Sequence, residues 1–173
     1  MPNCFDRMHQ YGEYPDGNDL QAIKLPDTVV DICDGDMLAS DTVSSELRAK
    51  LISAVAWSTD LAGTRVAAKA AFKGVALAEV DATGCRDMQT EIPIAVYRAG
   101  SKFTRSYKIV DAAGAATTAQ WVRGQGFTFA KDPDGNYLQN DAVVKTDTTA
   151  HIVFKAVKDS GPAQSRVEVE FSA

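Results

Sequence analysis

This chain is poor in the residues that carry catalytic and metal chemistry. Its 173 residues include two histidines and three cysteines. The cysteines, Cys4, Cys33 and Cys85, are odd in number and far apart, and none has a histidine at zinc-site spacing. We therefore expect free thiols in a reducing compartment. Neither His9 nor His151 lies in a motif such as a nucleophile elbow, so no enzyme activity, metal or cofactor is expected.

Long hydrophobic runs and an excess of positive charge are also missing. No stretch reaches the roughly 18 consecutive apolar residues of a membrane-spanning helix, so a membrane is not an expected partner. The formal net charge is −5, and an acidic chain is a poor match for a phosphate backbone, so nucleic acid is not expected either. The first residues lack the apolar core of a secretory signal, so any release from the cell is expected to occur by lysis or inside a particle.

Short alternating segments dominate what is present. Hydrophobic residues make up 45% of the chain, which is enough for one domain with a core, predicted over residues 25–173. The clearest alternation is at the end, where Val167, Val169 and Phe171 are separated by charged residues. Similar segments recur through the second half without an internal repeat. The pattern predicts a mainly β domain, barrel-like or sandwich-like, with one or two short inserted helices.

The segment 57–80 predicts a helix followed directly by a strand. Asp60 is a good N-cap, and Ala68 and Phe72 fall on the same helix face. Gly74 is expected to end the helix, because glycine adopts the left-handed conformation without strain. The alternating residues 75–80 then read as a buried strand.

A second helix is predicted at residues 44–56. Leu47, Leu51 and Val55 recur every four residues there, which is the spacing of an apolar helix face. Upstream, residues 28–32 and 37–38 flank an Asp-Gly-Asp sequence and predict a hairpin.

Residues 1–24 differ from the rest, since they mix aromatic and polar residues without a period. We expect an extended N-terminal arm that orders on a partner; the alternative is a strap over the domain's own core. The predicted partner-binding residues are Phe5, Met8, Tyr11 and Tyr14.

Two other groups of residues suggest ligands. Asp31, Asp34, Asp36, Asp132 and Asp134 lie in Asp-Gly turns that offer oxygens to calcium, but neither turn matches the twelve-residue calcium loop, so ordinary turns are expected.

Trp121, Phe127 and Tyr137 would be the stacking residues of a carbohydrate-binding barrel, although such aromatics more often belong to a core.

The chain resembles the decoration, or cement, proteins of tailed-phage capsids. That family has a Trp-x-Thr-Asp-Leu-Ala helix start followed by Phe-x-Gly-Val-Ala-Leu, and residues 57–62 (WSTDLA) and 72–77 (FKGVAL) are similar to both. Further similar pieces occur in the same order at 34–37 (DGDM), 94–96 (IAV), 138–140 (LQN) and 165–169 (SRVEV). The resemblance covers residues 28–173.

This resemblance implies a structural protein of the virion, made in the host cytoplasm and bound to the exterior of a phage head. The implied partner is the major capsid protein, and the implied assembly is a homotrimer that links neighbouring capsid subunits and stabilises the head. Binding several subunits at once multiplies modest contacts through effective concentration. The alternatives are another virion component (a head-fibre base, a tail or a baseplate protein) and the carbohydrate-binding barrel.

Overall fold

The computed structural model describes residues 17, 19–26, 30–43, 45–81, 91–96, 101 and 103–172. The first five strands are β1 (Leu20–Lys24), β2 (Met37–Val43), β3 (Glu46–Leu51), β4 (Phe72–Ala76) and β5 (Glu91–Val96). The other five are β6 (Arg105–Ile109), β7 (Gly126–Lys131), β8 (Leu138–Lys145), β9 (Phe154–Ala156) and β10 (Arg166–Phe171). Among the described residues, one α-helix, α1, spans Leu61–Ala71, and short 3-10 helices span Ile52–Ala54 and Thr149–His151.

The strands close into two barrels with the same topology. The first barrel has the order β1-β3-β2-β4-β5, and the second has the order β6-β8-β7-β9-β10. Counted from its own first strand, each barrel therefore has the order 1-3-2-4-5. In each, the first and third strands are parallel, and the other described pairs are antiparallel. The mainly β prediction is confirmed, and the repetition lies in the backbone topology, since the sequence shows no repeat.

Besides a hydrophobic cluster within the first barrel alone, the two barrels share a larger one. Its buried residues come from both, including Met37, Val75, Phe129 and Phe154. Phe72, the first residue of β4, packs its ring against three rings of the second barrel. Its centroid lies 5.5 Å from Phe129, 5.5 Å from Phe154 and 6.2 Å from Phe171. Because apolar side chains of both barrels fill the same space, the barrels are expected to unfold together.

Polar contacts cross the same joint. Arg105 of β6 is 1% exposed, and its Nη2 donates to the carbonyl oxygen of Asp34 at 3.2 Å. Its guanidinium fills the space where a side chain at Gly35 would lie. The Ser53 amide donates to Asn140 Oδ1 at 2.8 Å, which ties the 3-10 helix of the first barrel to β8. These contacts fix how the barrels sit against each other.

The helix α1 joins β3 to β4 and confirms the first helix prediction. Asp60 is the N-cap, and its side chain accepts a hydrogen bond from the Gly63 amide at 2.7 Å. The predicted stop at Gly74 is wrong, because the helix ends at Ala71 and Phe72 is already in β4. Gly74 is needed inside the strand, where a Cβ would lie 2.0 Å from the carbonyl oxygen of Ala95.

The second predicted helix, at residues 44–56, is wrong. Residues Glu46–Leu51 form β3, which pairs antiparallel with β2 over six residue pairs. Ser45, with φ of 68°, turns the chain between the two strands. The four-residue spacing of leucines suited a helix, but the hydrogen-bonding partner offered by β2 decided the conformation.

Two predictions about strand pairing also change. The sequence around Asp34 does turn, but Ile32 bridges to Val80 and Met37 pairs with Val75 of β4. The two segments that flank the turn therefore pair with residues 75–80 instead of with each other. Proline lacks an amide donor and is therefore expected in edge strands, which would place the strand containing Pro93 at a sheet edge. It is β5, which has neighbours on both sides because the barrel closes through β1.

Cys33 forms a disulfide bond, so the expectation of three free thiols is wrong. Its partner lies outside the described residues.

In the described part of the chain, no helix is both long and apolar enough to cross a membrane.

Candidate functional site

The four predicted partner-binding residues, Phe5, Met8, Tyr11 and Tyr14, lie outside the described residues. The last part of the predicted arm does not, since Leu20–Lys24 form β1 of the first barrel. Because β1 is the described strand that follows the arm in sequence, the surface beside β1 is considered first.

A groove opens between β1 and β3, and we call it the seam groove. Its cavity volume is about 300 Å³, and its lining residues are Gln21, Ala22, Ile23, Lys24, Glu46, Leu47 and Glu91. It exists because β1 pairs with β5 along its full length but with β3 only at Lys24 and Arg48. Upstream of that single pair the two strands diverge.

Leu47 is the exposed apolar side chain on the β3 side of the seam groove. Alternation along β3 places Leu47 on the same face as Ala49, which is buried in the core of the first barrel. Leu47 is nevertheless 45% exposed, and Leu20 at the start of β1 is 51% exposed.

The second barrel provides an internal comparison. Its parallel seam joins Lys108 to Ala142 and Ile109 to Val143. Both Ala142 and Val143 are fully buried. In the described residues, the parallel pairing thus extends over two residue pairs in the second barrel and over one in the first.

Charged side chains line the rim of the seam groove. Lys24 Nζ donates to Glu46 Oε1 at 2.5 Å, and Arg48 Nη2 lies 2.8 Å from Glu46 Oε2. The Lys24 ammonium, with help from Arg48, lowers the pKa of Glu46 below its usual value. Arg48 Nη1 also donates to the carbonyl oxygen of Leu25 at 3.1 Å. This network holds β1 and β3 together at one end of the seam groove.

A second groove, the Trp121 groove, lies on the second barrel. Its volume is about 440 Å³, and it is lined by Gln120, Trp121, Val122, Gln125, Lys145, Asp159, Ser160 and Gly161. Its walls are tied to each other: the Trp121 amide donates to Ser160 Oγ at 3.0 Å, and Gln125 Nε2 donates to Asp147 Oδ1 at 2.8 Å. Val122, at 65% exposed, is its most accessible apolar side chain.

The three aromatics considered for carbohydrate stacking do not form a platform. Phe127 is fully buried and packs edge-on against Trp121 at 5.9 Å between centroids. The indole N–H of Trp121 donates to the carbonyl oxygen of Lys158. Tyr137 lies on the β7–β8 turn, where its hydrogen bond to Asp132 raises its pKa. Two of the three rings therefore belong to the core, and of the three only Tyr137, at 43%, is exposed.

The acidic turns serve the backbone. Asp36 Oδ2 accepts from the Cys33 amide at 2.8 Å, and Asp132 Oδ1 accepts from the Asp134 amide at 2.9 Å. Across the described ranges, no three histidine, cysteine or acidic side chains come together as metal ligands. His151 ends the second 3-10 helix and is half-buried.

Sequence reasoning missed two residues that matter here. Leu47 was assigned to a helix face, so its exposure at a barrel seam was not foreseen. The sequence did contain a signal for Arg105, because it lies two residues from both Phe103 and Tyr107 and so shares their apolar strand face. An arginine in that position predicts a buried charge with a specific partner.

Comparison with known proteins finds no protein-family model, no curated protein and no solved structure that matches this chain.

Proposed function

We propose that this protein is a capsid decoration protein, which binds the outside of a tailed-phage head and holds neighbouring major capsid subunits together. In this proposal it has no catalytic activity, and it acts as a homotrimer through buried contact area. The observation that carries the proposal is the ordered set of short sequence matches to that family across residues 28–173.

The positions of these matches in the fold support the proposal. Phe72, in the second motif, is the aromatic centre of the joint between the barrels. Asp34 and Gly35, in the first upstream piece, receive Arg105, and Asn140 in a later piece accepts from Ser53. Four of the matched residues thus lie where the two barrels meet. Residues at such a joint determine shape, and shape is what a protein linking other subunits requires.

The character of the two grooves agrees with a binding protein. Both are open surface features lined by mixed apolar and polar side chains. The rim charges of the seam groove are engaged in ion pairs, as described for Glu46. Such surfaces suit contact with another protein, in which burial of apolar area contributes about 25 cal/mol per Å² before the entropy costs of association.

Co-sedimentation tests the proposal. Heads assembled without this protein are incubated with the purified chain, pelleted, and compared with the chain alone. We expect the protein to pellet at a saturating ratio and the decorated heads to resist heat better than bare heads. A chain that stays in the supernatant at all concentrations, with heads of unchanged heat resistance, would refute the proposal. Electron microscopy of labelled particles separates a decoration protein, seen over the whole head, from a tail or fibre component.

A further inference from the structure

We propose that the Cys33 disulfide is a redox-sensitive lock on the joint between the two barrels. When the disulfide forms, the turn that receives Arg105 is held in place. When its two sulfurs are thiols, the turn is released and the joint loosens. This inference rests on contacts within the chain and does not depend on the proposed function.

The lock lies at the first residue of the turn at residues 33–36. The Cys33 amide donates to Asp36 Oδ2 at 2.8 Å, and the Asp36 amide donates to the Cys33 carbonyl oxygen at 3.0 Å. The Gly35 amide donates to the carbonyl oxygen of Ala76 in β4 at 2.7 Å. Cys33 itself is disulfide-bonded and only 6% exposed. A covalent cross-link therefore acts directly on this turn.

The same turn is where the second barrel inserts its buried charge. Arg105 is 1% exposed; its Nη2 lies 3.2 Å from the Asp34 carbonyl oxygen and its Nη1 lies 3.9 Å from Asp34 Oδ1. The guanidinium occupies the space that a side chain on Gly35 would need. Because burial removes hydration, a buried cation is stable only while its protein partners stay aligned. A displacement of the turn is therefore costly at Arg105, and this couples the state of Cys33 to the second barrel.

The redox step is a thiol–disulfide exchange. Two protein thiols react with a small-molecule disulfide such as oxidised glutathione. The protein S–S bond forms, the glutathione S–S bond breaks, and two reduced glutathione molecules leave with the two thiol protons and the two electrons. The reverse reaction needs a thiolate to reach a sulfur, and the burial of Cys33 restricts that approach. The lock should therefore form once the chain leaves a reducing compartment, and it should then persist.

Hydrogen–deuterium exchange followed by NMR tests the lock on the full-length protein. The oxidised form is equilibrated with oxidised glutathione, and the reduced form is kept in dithiothreitol from cell lysis onwards. In the reduced form, the amides of Gly35 and Asp36 should exchange at least about tenfold faster. The Ser53 amide, which donates to Asn140 across the joint, should also exchange faster.

An internal control comes from the second barrel. The amides of Ala119 and Gln164 each donate to the other residue's carbonyl oxygen. Their exchange should change by less than about threefold on reduction, because the proposed effect is local to the turn and the joint.

Cysteine variants provide the matched comparison. Cys33→Ser should exchange like the reduced wild type under both conditions. Of Cys4→Ser and Cys85→Ser, one should behave like Cys33→Ser and the other like the wild type, because the chain has three cysteines and one disulfide uses two. If Cys33→Ser does not fold, the comparison of the oxidised and reduced wild type decides the matter.

Three results would overturn the proposal. The first is three alkylatable thiols in the oxidised protein after denaturation, where one is expected, because the bond would then not form. The second is unchanged exchange of the turn amides on reduction. The third is equal acceleration of the turn, joint and control amides, because the disulfide would then stabilise the whole fold without acting on the joint.

Discussion

Replacing Phe72 by alanine tests whether one ring holds the two barrels together. Phe72 contacts the rings of Phe129, Phe154 and Phe171, with two of these contacts edge-to-face. Fully buried Phe→Ala changes cost about 3–5 kcal/mol. Because Phe72 is half-buried, we expect the low end, about 3 kcal/mol, which corresponds to a fall in melting temperature of about 6–12 °C for a chain of this size.

Urea denaturation followed by fluorescence and circular dichroism measures this loss. Val66→Ala, on the exposed side of α1, is the control and should change stability by less than about 0.5 kcal/mol. The double variant with Phe154→Ala should show a coupling energy of at least about 0.5 kcal/mol, because the rings are in contact. A loss below about 1 kcal/mol for Phe72→Ala, or strict additivity with Phe154→Ala, would refute a shared aromatic core. Two separate transitions in the wild type would contradict the cooperative joint.

Two further predictions concern the joint and the second barrel. Gly35→Ala should destabilise the protein by about 2 kcal/mol or more, since φ is 87° and the new Cβ would lie 1.4 Å from Arg105 Nη2. The control Gly124→Ala, with φ of 84° and open space around it, should lose only the backbone contribution, about 1 kcal/mol. Equal losses of stability for the two variants in thermal unfolding would exclude a role for Arg105. Glu168 accepts from Thr104 Oγ1 at 2.6 Å and lies 3.2 Å from Lys158 Nζ, and these contacts lower its pKa. Because the pKa of Glu168 is lower in the folded state than in the unfolded state, its stabilisation is complete above the unfolded pKa and is lost as pH falls through the folded pKa. Glu168→Gln should therefore lose less stability than the wild type between neutral pH and about pH 4 or below. Identical pH profiles of the unfolding free energy in urea titrations would contradict this.

Several elements were predictable from the sequence because their signals are local. The strand Arg166–Phe171 contains the predicted alternation, since strict alternation leaves one face for the core and one for solvent. The α1 start at Asp60 was predictable because an N-cap side chain bonds to amides only three residues away. The turn at residues 132–136 follows from proline and glycine alone.

Other elements depended on partners far away in the chain. Residues 46–51 contain good helix formers, yet they form β3 because β2 and the barrel core accept them as a strand. β1 was assigned to an arm because a five-residue strand with exposed side chains has no distinctive pattern; its pairing with β5, some 70 residues later, makes it part of a barrel. The candidate site has the same origin, since Leu47 is exposed only because β1 and β3 diverge at the seam.

By itself, the sequence determined that this chain is mainly β, where its capped helix begins, and which short segments alternate. Only the tertiary structure decided that the strands close twice in the same order, that Arg105 is buried at the joint, and that, in the described residues, the parallel pairing is shorter in the first barrel. Alternation and capping act over a few residues. Barrel closure and seam packing depend on which strands, distant in sequence, form backbone hydrogen bonds with each other and bury each other's apolar side chains.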